Sequence, residues 1–208
     1  MDKKTLLYNV TDLFLKYGIK NVTTDFISQK LGISKKTLYE FFTSKEKLIE
    51  EVIKIIISDE FGKNKFNKNF KSIDKLNAIE VNLMVLNHIL EINKNFNPIF
   101  FIELKKYYPH LYKKLENHKK VVLKEKILNN LKKGKKEGLY RNNLNEEIIA
   151  SFYLSFVELF TPENFENVFG TKYSKQEVIK EIFLFHMYAI TSSKGKKFLS
   201  KILKKYNL

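Results

Sequence analysis

The 208-residue chain contains no cysteine, which excludes disulfide bonds, thiolate metal sites and cysteine nucleophiles. Its seven glycines form no phosphate-cradling loop, and no serine lies in a nucleophile-elbow context. No apolar run approaches the roughly 18 residues that cross a membrane. Asp12 and Lys16 interrupt the apolar N-terminal stretch, and no small-residue cleavage site follows it. These absences predict a cytoplasmic protein that is neither exported nor inserted in a membrane.

Histidine is also scarce and scattered, at positions 88, 110, 118 and 186. His88 and Glu91 are spaced to share a helix face, but no further carboxylate or histidine is spaced to complete a metal site. We therefore expect no metal, no cofactor and no catalytic residues, and we predict that the protein is not an enzyme.

Positive charge, by contrast, is abundant. The chain has 38 lysines and arginines against 23 acidic residues, a formal net charge of +15. Such an excess favours a polyanionic partner, either nucleic acid or an anionic membrane surface. The charge alone does not choose between the two, so local patterns must.

Apolar residues recur at helical spacing almost throughout the chain. In the first segment, glycines and capping residues divide this pattern into short helices. The first apolar stripe is Leu6, Val10, Leu13, Phe14 and Tyr17. Gly18 is predicted to end this helix as a C-terminal cap. Thr23 is predicted to cap a second helix that Gly32 ends with positive φ, and Ser34 and Ser44 are predicted to begin the next two.

Two short helices joined by a turn with glycine, inside a three-helix platform, form a helix-turn-helix arrangement. Ile27, Ile33 and Leu38 are predicted to support the second short helix from behind. The residues left facing outward or sideways are Lys35, Lys36, Thr37, Tyr39 and Glu40. A helix of this width fits the major groove of duplex DNA, so this face is predicted to read base edges.

From about Leu6 to Val52 the chain resembles the DNA-binding domain of the TetR family of bacterial transcriptional regulators. The resemblance is plainest in "VTTDFISQKLGISKKTLYEFFTSKEKLI", where several residue types stand at fixed spacings. It covers roughly the first quarter of the chain. It implies a ligand-responsive repressor that binds a palindromic operator in double-stranded DNA as a homodimer and releases it on binding a small molecule.

The DNA-binding residues predicted in this way are Thr23, Ser34, Lys35, Lys36, Thr37, Tyr39 and Lys45. The resemblance implies that Thr23 and Tyr39 hydrogen-bond phosphates and that Lys45 meets the backbone nearby. Base reading would fall to Lys36 and Thr37. A lysine can donate to guanine O6 and N7, and a threonine methyl can meet thymine.

Some positions of this segment leave alternatives open or depart from the family pattern. Lys35 can serve a phosphate or a base edge, and Glu40 can accept from cytosine or be a solvent-facing charge. Many members have a small residue at Lys36, His or Tyr at Phe41, and Pro at Thr43. The change at Lys36 adds a donor, whereas Phe41 removes a polar contact to the backbone.

The predicted fold is all-α, with a helix-turn-helix DNA-binding domain over residues 1–54 and a larger helical ligand-binding and dimerisation domain over 55–208. The stretch "GKNKFNKNFKSID" has weak periodicity and predicts a linker. A long helix is expected over 73–95 and a short one between Pro98 and Pro109. Another long helix is expected to end near Gly134, and two apolar helices to lie on either side of a loop around Pro162.

Those last two helices are apolar over too much of their circumference for one buried stripe. We expect one side to face a second copy of the chain, as in the antiparallel four-helix dimer bundle of the family. The predicted interface residues are Tyr153, Val157, Phe160, Ile182, Phe185 and Tyr188. The alternative is an internal helix pair in a larger monomeric core.

An apolar effector pocket is implied by the family more than by the residues themselves. Aromatic and apolar side chains that would line it are Phe96, Phe100, Phe101, Leu104, Tyr108, Phe152 and Phe156. The alternative for these residues is plain core. Two other functions remain open, a non-specific architectural DNA binder favoured by total charge and a helical carrier of apolar small molecules favoured by Phe41.

Overall fold

The computed structural model describes residues 2–57, 75–95, 97–159 and 162–206. Within these ranges every regular element is a helix, apart from an isolated antiparallel bridge between Tyr140 and Thr191. The predicted all-α fold is confirmed. The stretch predicted to be a linker lies outside the described residues.

The helices have the following bounds: α1 Lys3–Asn21, α2 Thr24–Leu31, α3 Lys35–Phe41, α4 Lys45–Ile57, α5 Ala78–Asn95, α6 Ile99–Tyr107, α7 Pro109–Lys136, α8 Glu146–Leu159, α9 Pro162–Phe169, α10 Lys175–Ile190 and α11 Ser193–Tyr206. The loop expected around Pro162 is in fact an eight-residue helix that this proline begins. Proline suits that first position because its missing N–H would have no helical partner there. Pro109 likewise begins α7 directly after α6.

The predicted caps of the short helices are present. Thr23 Oγ1 accepts a hydrogen bond from the N–H of Phe26 at 3.1 Å, and Ser34 Oγ accepts one from the N–H of Thr37 at 3.0 Å. Gly32 has φ +63 and donates its N–H to the carbonyl of Ser28. Each contact satisfies a helix-end group that would otherwise lack a partner.

The regular helix stops at Gly18 as predicted, where φ is +81 and ψ is 172, and after this kink α1 continues to Asn21. The kink breaks the bond that would join the N–H of Lys20 to the carbonyl of Lys16. Glu103 accepts the N–H of Lys20 at 2.8 Å, and Asn97 Nδ2 donates to the carbonyl of Lys16 at 2.9 Å. The chain can therefore turn at Gly18 without leaving either group unpaired.

The chain divides into two compact units, one of residues 1–71 and 97–119 and one of 72–96 and 120–208. In the first, α1, α4 and α6 pack around a continuous core. Its fully buried members include Leu6, Val10, Phe14, Ile27, Leu48, Val52, Phe100, Leu104 and Leu115. The functional boundary predicted between residues 54 and 55 stays a prediction.

The second unit has its own core, in which α5 packs against α10. The buried phenol of Tyr140 donates to Asn130 Oδ1 at 3.0 Å and accepts from Asn82 Nδ2 at 2.9 Å. Gly134 lies in the last turn of α7, which ends at Lys136, close to the predicted position, and a Cβ there would stand 2.0 Å from the Tyr140 ring. The glycine makes room for the ring.

Candidate nucleic-acid interface

The helix-turn-helix segment presents a polar face on a fixed apolar base. Ile27 of α2 and Leu38 of α3 are buried in the core of the first unit. On the other side of α3, Lys35 and Lys36 are exposed, and the Tyr39 ring is 48% exposed. The predicted reading face is therefore open to a partner.

The first turn of α3 has a defined side-chain arrangement. Ser34 Oγ and Thr37 Oγ1 lie 2.9 Å apart, within hydrogen-bond distance. Because Ser34 Oγ also accepts the N–H of Thr37, the cap holds the Thr37 side chain in one orientation. Half-buried Thr37 can thus present a methyl or hydroxyl in a reproducible position.

Lys35 is not a free cation in this structure. Its Nζ lies 2.5 Å from Asp25 Oδ1 of α2, and both side chains are largely exposed. The hydrogen bond to Asp25 raises the pKa of Lys35 above its usual value. A phosphate or base would have to share this ammonium with Asp25 or displace it. Sequence reasoning did not anticipate this partner.

Lys45 also has an intramolecular partner, at the start of α4. Its Nζ donates to the carbonyl of Ile19 at 2.6 Å, just beyond the Gly18 kink. Partial burial lowers the pKa of Lys45, and the nearby charge of Glu103 opposes that shift. Lys45 therefore joins α4 to the end of α1 in the unbound protein. Its predicted contact with the DNA backbone stays a prediction.

Thr23 and Tyr39 retain groups that a phosphate could accept from. The Thr23 hydroxyl oxygen accepts from Phe26, which leaves its O–H able to donate outward.

Phe41, where many TetR members have a polar residue, is half-buried and lies against Phe42 with ring centroids 6.4 Å apart. It contributes to packing.

The side chains predicted to line a ligand pocket are divided between the two units. In the first unit Phe100 and Leu104 are fully buried in the core, and the rings of Phe100 and Phe14 stack at 6.3 Å. The Phe101 ring stands edge-on to Phe100 at 5.1 Å, and Tyr108 is half-buried against the same cluster.

Phe152 and Phe156 of the second unit contact each other, with ring centroids 4.7 Å apart. Phe96 lies outside the described residues. The predicted pocket, composed of residues from both units, stays a prediction.

The residues predicted at a dimer interface include several exposed apolar groups. Phe185 is 69% exposed and Tyr188 is also exposed, while Ile182 is half-buried. Tyr153 packs edge-on against the buried ring of His186, with centroids 3.8 Å apart. The side chain of Val157 and the whole of Phe160 lie outside the described residues. The interface stays a prediction.

Among the residues described, no helix is both long and apolar enough to cross a membrane.

A family described as "Bacterial regulatory proteins, tetR family" matches residues 11–52. Over 57 residues the chain is 32% identical to an uncharacterised HTH-type transcriptional regulator, YhgD, of Bacillus subtilis (strain 168). That match covers 27% of this chain and 30% of YhgD, so it spans less than a third of the relative.

Solved structures resemble the fold over most of its length. A TetR-family regulator from Cytophaga hutchinsonii has a TM-score of 0.65 at 14% identity and covers 91% of this chain and 95% of its own. A candidate transcriptional regulator from Saccharomonospora viridis, in complex with choline, has a TM-score of 0.65 at 16% identity. It covers 91% of this chain and 97% of its own. At these identities the likeness concerns the fold.

Proposed function

The chain belongs to the TetR family of bacterial regulatory proteins through its DNA-binding domain, and on that premise we propose that it is a ligand-responsive, sequence-specific transcriptional repressor. The observation that carries the proposal is the open polar face of α3, whose apolar side is anchored by buried Leu38. A helix fixed from behind can enter the major groove without losing its position in the domain.

Base and phosphate contacts are divided between neighbouring side chains of this face. Lys36 and Thr37 read base edges, because they lie in the first turn of a recognition helix, the part that contacts bases. Thr23 and Tyr39 donate hydroxyl hydrogen bonds to phosphates and set the register of the domain. Lys35 reaches the DNA once it leaves Asp25.

The protein acts as a homodimer on a palindromic operator. Exposed Phe185 and Tyr188 on α10 supply apolar surface that a second copy can cover. Two-fold symmetry then presents two α3 helices to half-sites about 34 to 36 Å apart.

A small apolar effector is proposed to release the operator by favouring a conformation whose two recognition helices no longer match successive grooves. A fold of this kind can hold a small molecule, since the similar protein from Saccharomonospora viridis is in complex with choline, a cation. Once an operator is known, ligand screening for release of the DNA can identify the effector of this chain and the residues that bind it. A cytoplasmic location accords with access to DNA.

The test is enrichment of bound duplexes from a random DNA pool at physiological salt, with the oligomeric state measured on the same sample. An inverted repeat bound by a dimer is the expected result. Salt-sensitive binding without a motif would replace the proposal with non-specific architectural binding, which the net charge of +15 favours. No DNA binding at all would reject both.

Two variants then distinguish a side chain that contacts base edges from one that contacts phosphates. Thr37→Ala should relax preference at one or two base positions, where a wrong base pair ordinarily costs about 1–3 kcal/mol. Tyr39→Phe should weaken binding to matched and random DNA alike, by up to about tenfold for one lost hydrogen bond. Equal effects of the two changes on base preference would contradict these roles.

A further inference from the structure

Two helices of the first unit bring three metal-ligating side chains together. Glu46 and Glu50 stand one turn apart on α4, and His110 is the second residue of α7. One ligand atom from each side chain lies within 4.8 Å of the other two, and His110 Nε2 is 3.7 Å from Glu46 Oε1. About sixty positions of sequence separate the histidine from the glutamates, so sequence spacing did not reveal the group.

The distances fit a single small cation after modest side-chain rotation. Zinc bonds of about 2.0–2.2 Å to nitrogen and oxygen place two tetrahedral ligands roughly 3.4 Å apart. The pair His110 Nε2 and Glu46 Oε1 is already close to that separation. Three protein ligands would leave a fourth position for water, since the site is open to solvent.

We propose that Glu46, Glu50 and His110 bind one divalent transition-metal ion, with Zn²⁺ as the reference case. Two carboxylates and one neutral imidazole balance the charge of a dication. The imidazole favours Zn²⁺, Ni²⁺ or Cu²⁺ over Mg²⁺ and Ca²⁺, which prefer ligands that are all oxygen.

Neighbouring cations set a cost on this binding. Lys47 Nζ lies 2.9 Å from Glu50 Oε2 and must be displaced when the carboxylate turns to the metal. Lys54 and Lys114 line the same recess as Glu50 and His110. Lys54 is paired with Glu51 at 2.5 Å, which reduces its repulsion of a dication.

The ion would join α4 to α7. The α4 helix directly follows the α3 segment and is held at its start by Lys45, whereas Leu111 and Leu115 anchor α7 in the core. A bound ion would therefore restrict movement of α4 relative to α7. An effect on DNA affinity, unlike the site itself, rests on the proposed function.

The experiment is a calorimetric titration of full-length protein, freed of any polyhistidine tag, with Zn²⁺ near neutral pH. One ion per chain is expected. Removal of a residue that only hydrogen-bonds to a metal ligand ordinarily weakens metal affinity about 10- to 100-fold. Loss of a ligand itself, in His110→Ala or Glu50→Gln, should therefore weaken binding at least tenfold. Lys47→Ala should tighten it, because the competing ammonium is gone.

His118→Ala is the matched control, because it removes a histidine of the same helix about 12 Å further along the axis. It should leave the affinity unchanged. The proposal is overturned if the unmodified protein shows no saturable binding, or if His110→Ala binds like it. An equal loss in His118→Ala would overturn it as well. No DNA is present, so failure of the proposed repressor function would leave this result readable.

Discussion

Replacement of Gly18 by alanine should destabilise the first unit more than replacement of any ordinary turn glycine. The φ of +81 and ψ of 172 at Gly18 belong to a region that residues with a Cβ avoid. A Cβ would also stand 2.8 Å from Glu103 Oε2 and 3.0 Å from Ile99 Cγ1. Both neighbours are on α6 and are held by packing against α1.

The expected cost of Gly18→Ala has two parts. Backbone strain of this kind costs about 1–3 kcal/mol, and crowding in a packed region adds about 1–3 kcal/mol. We therefore expect a loss of about 2–6 kcal/mol in the free energy of unfolding of the first unit. Gly32 is the matched control, since its φ is +63 but no heavy atom lies within 4 Å of an added Cβ. Gly32→Ala should cost only the left-handed strain of about 1–2 kcal/mol.

The loss of stability in both variants is measured by amide hydrogen exchange in α1 and by urea denaturation. The Glu103→Ala background isolates the crowding part, because removal of the carboxylate leaves only the backbone strain at the substituted position and the Ile99 contact. Gly18→Ala should therefore cost less in that background. The reasoning is refuted if Gly18→Ala costs no more than Gly32→Ala, or if the Glu103→Ala background makes no difference.

The remaining predictions concern the second unit. Burial lowers the pKa of His186 to about 3, so the unfolded chain binds its proton first as the pH falls below 6.5. The stability that neutral His186 contributes is complete above pH 6.5, and the free energy of unfolding should fall by about 2 kcal/mol between pH 7 and pH 5. Urea denaturation should show this loss in the unmodified protein and in the control His118→Gln. The loss should be absent in His186→Phe. Phe185→Glu should convert the proposed dimer to a monomer in sedimentation equilibrium, because it places a charge on an apolar surface. Val121→Glu, at a similarly exposed apolar residue outside the predicted interface, should remain dimeric, and equal behaviour of the two variants would contradict the interface.

The sequence predicted those features that depend on neighbours within a few residues. The caps at Thr23 and Ser34 each join a side chain to a backbone N–H three positions later. The positive φ of Gly32 follows from the same local pattern. Such contacts recur whenever the local sequence does, so the helix-turn-helix boundaries could be predicted without the tertiary structure.

Features that depend on partners outside the local sequence could not be predicted. Glycine commonly stands at helix ends, so the places of Gly18 and Gly134 could be predicted, but the side chains that contact them could not. Their actual surroundings are set by Glu103 in one case and by the Tyr140 ring in the other. The partner of Lys45 was missed for the same reason, since nothing in the local sequence indicates the carbonyl of Ile19.

The contacts around the α1 kink make the position of α4 depend on α6. Glu103 of α6 holds the N–H of Lys20, and Lys45 of α4 holds the carbonyl of the preceding residue, Ile19. Any movement of α6 must either break the first bond, which is part-buried, at a cost of about 1 kcal/mol, or carry the end of α1 with it. In the second case the carbonyl that holds Lys45 moves too. The start of α4, and the α3 segment just before it, would then shift without any ligand contact of their own.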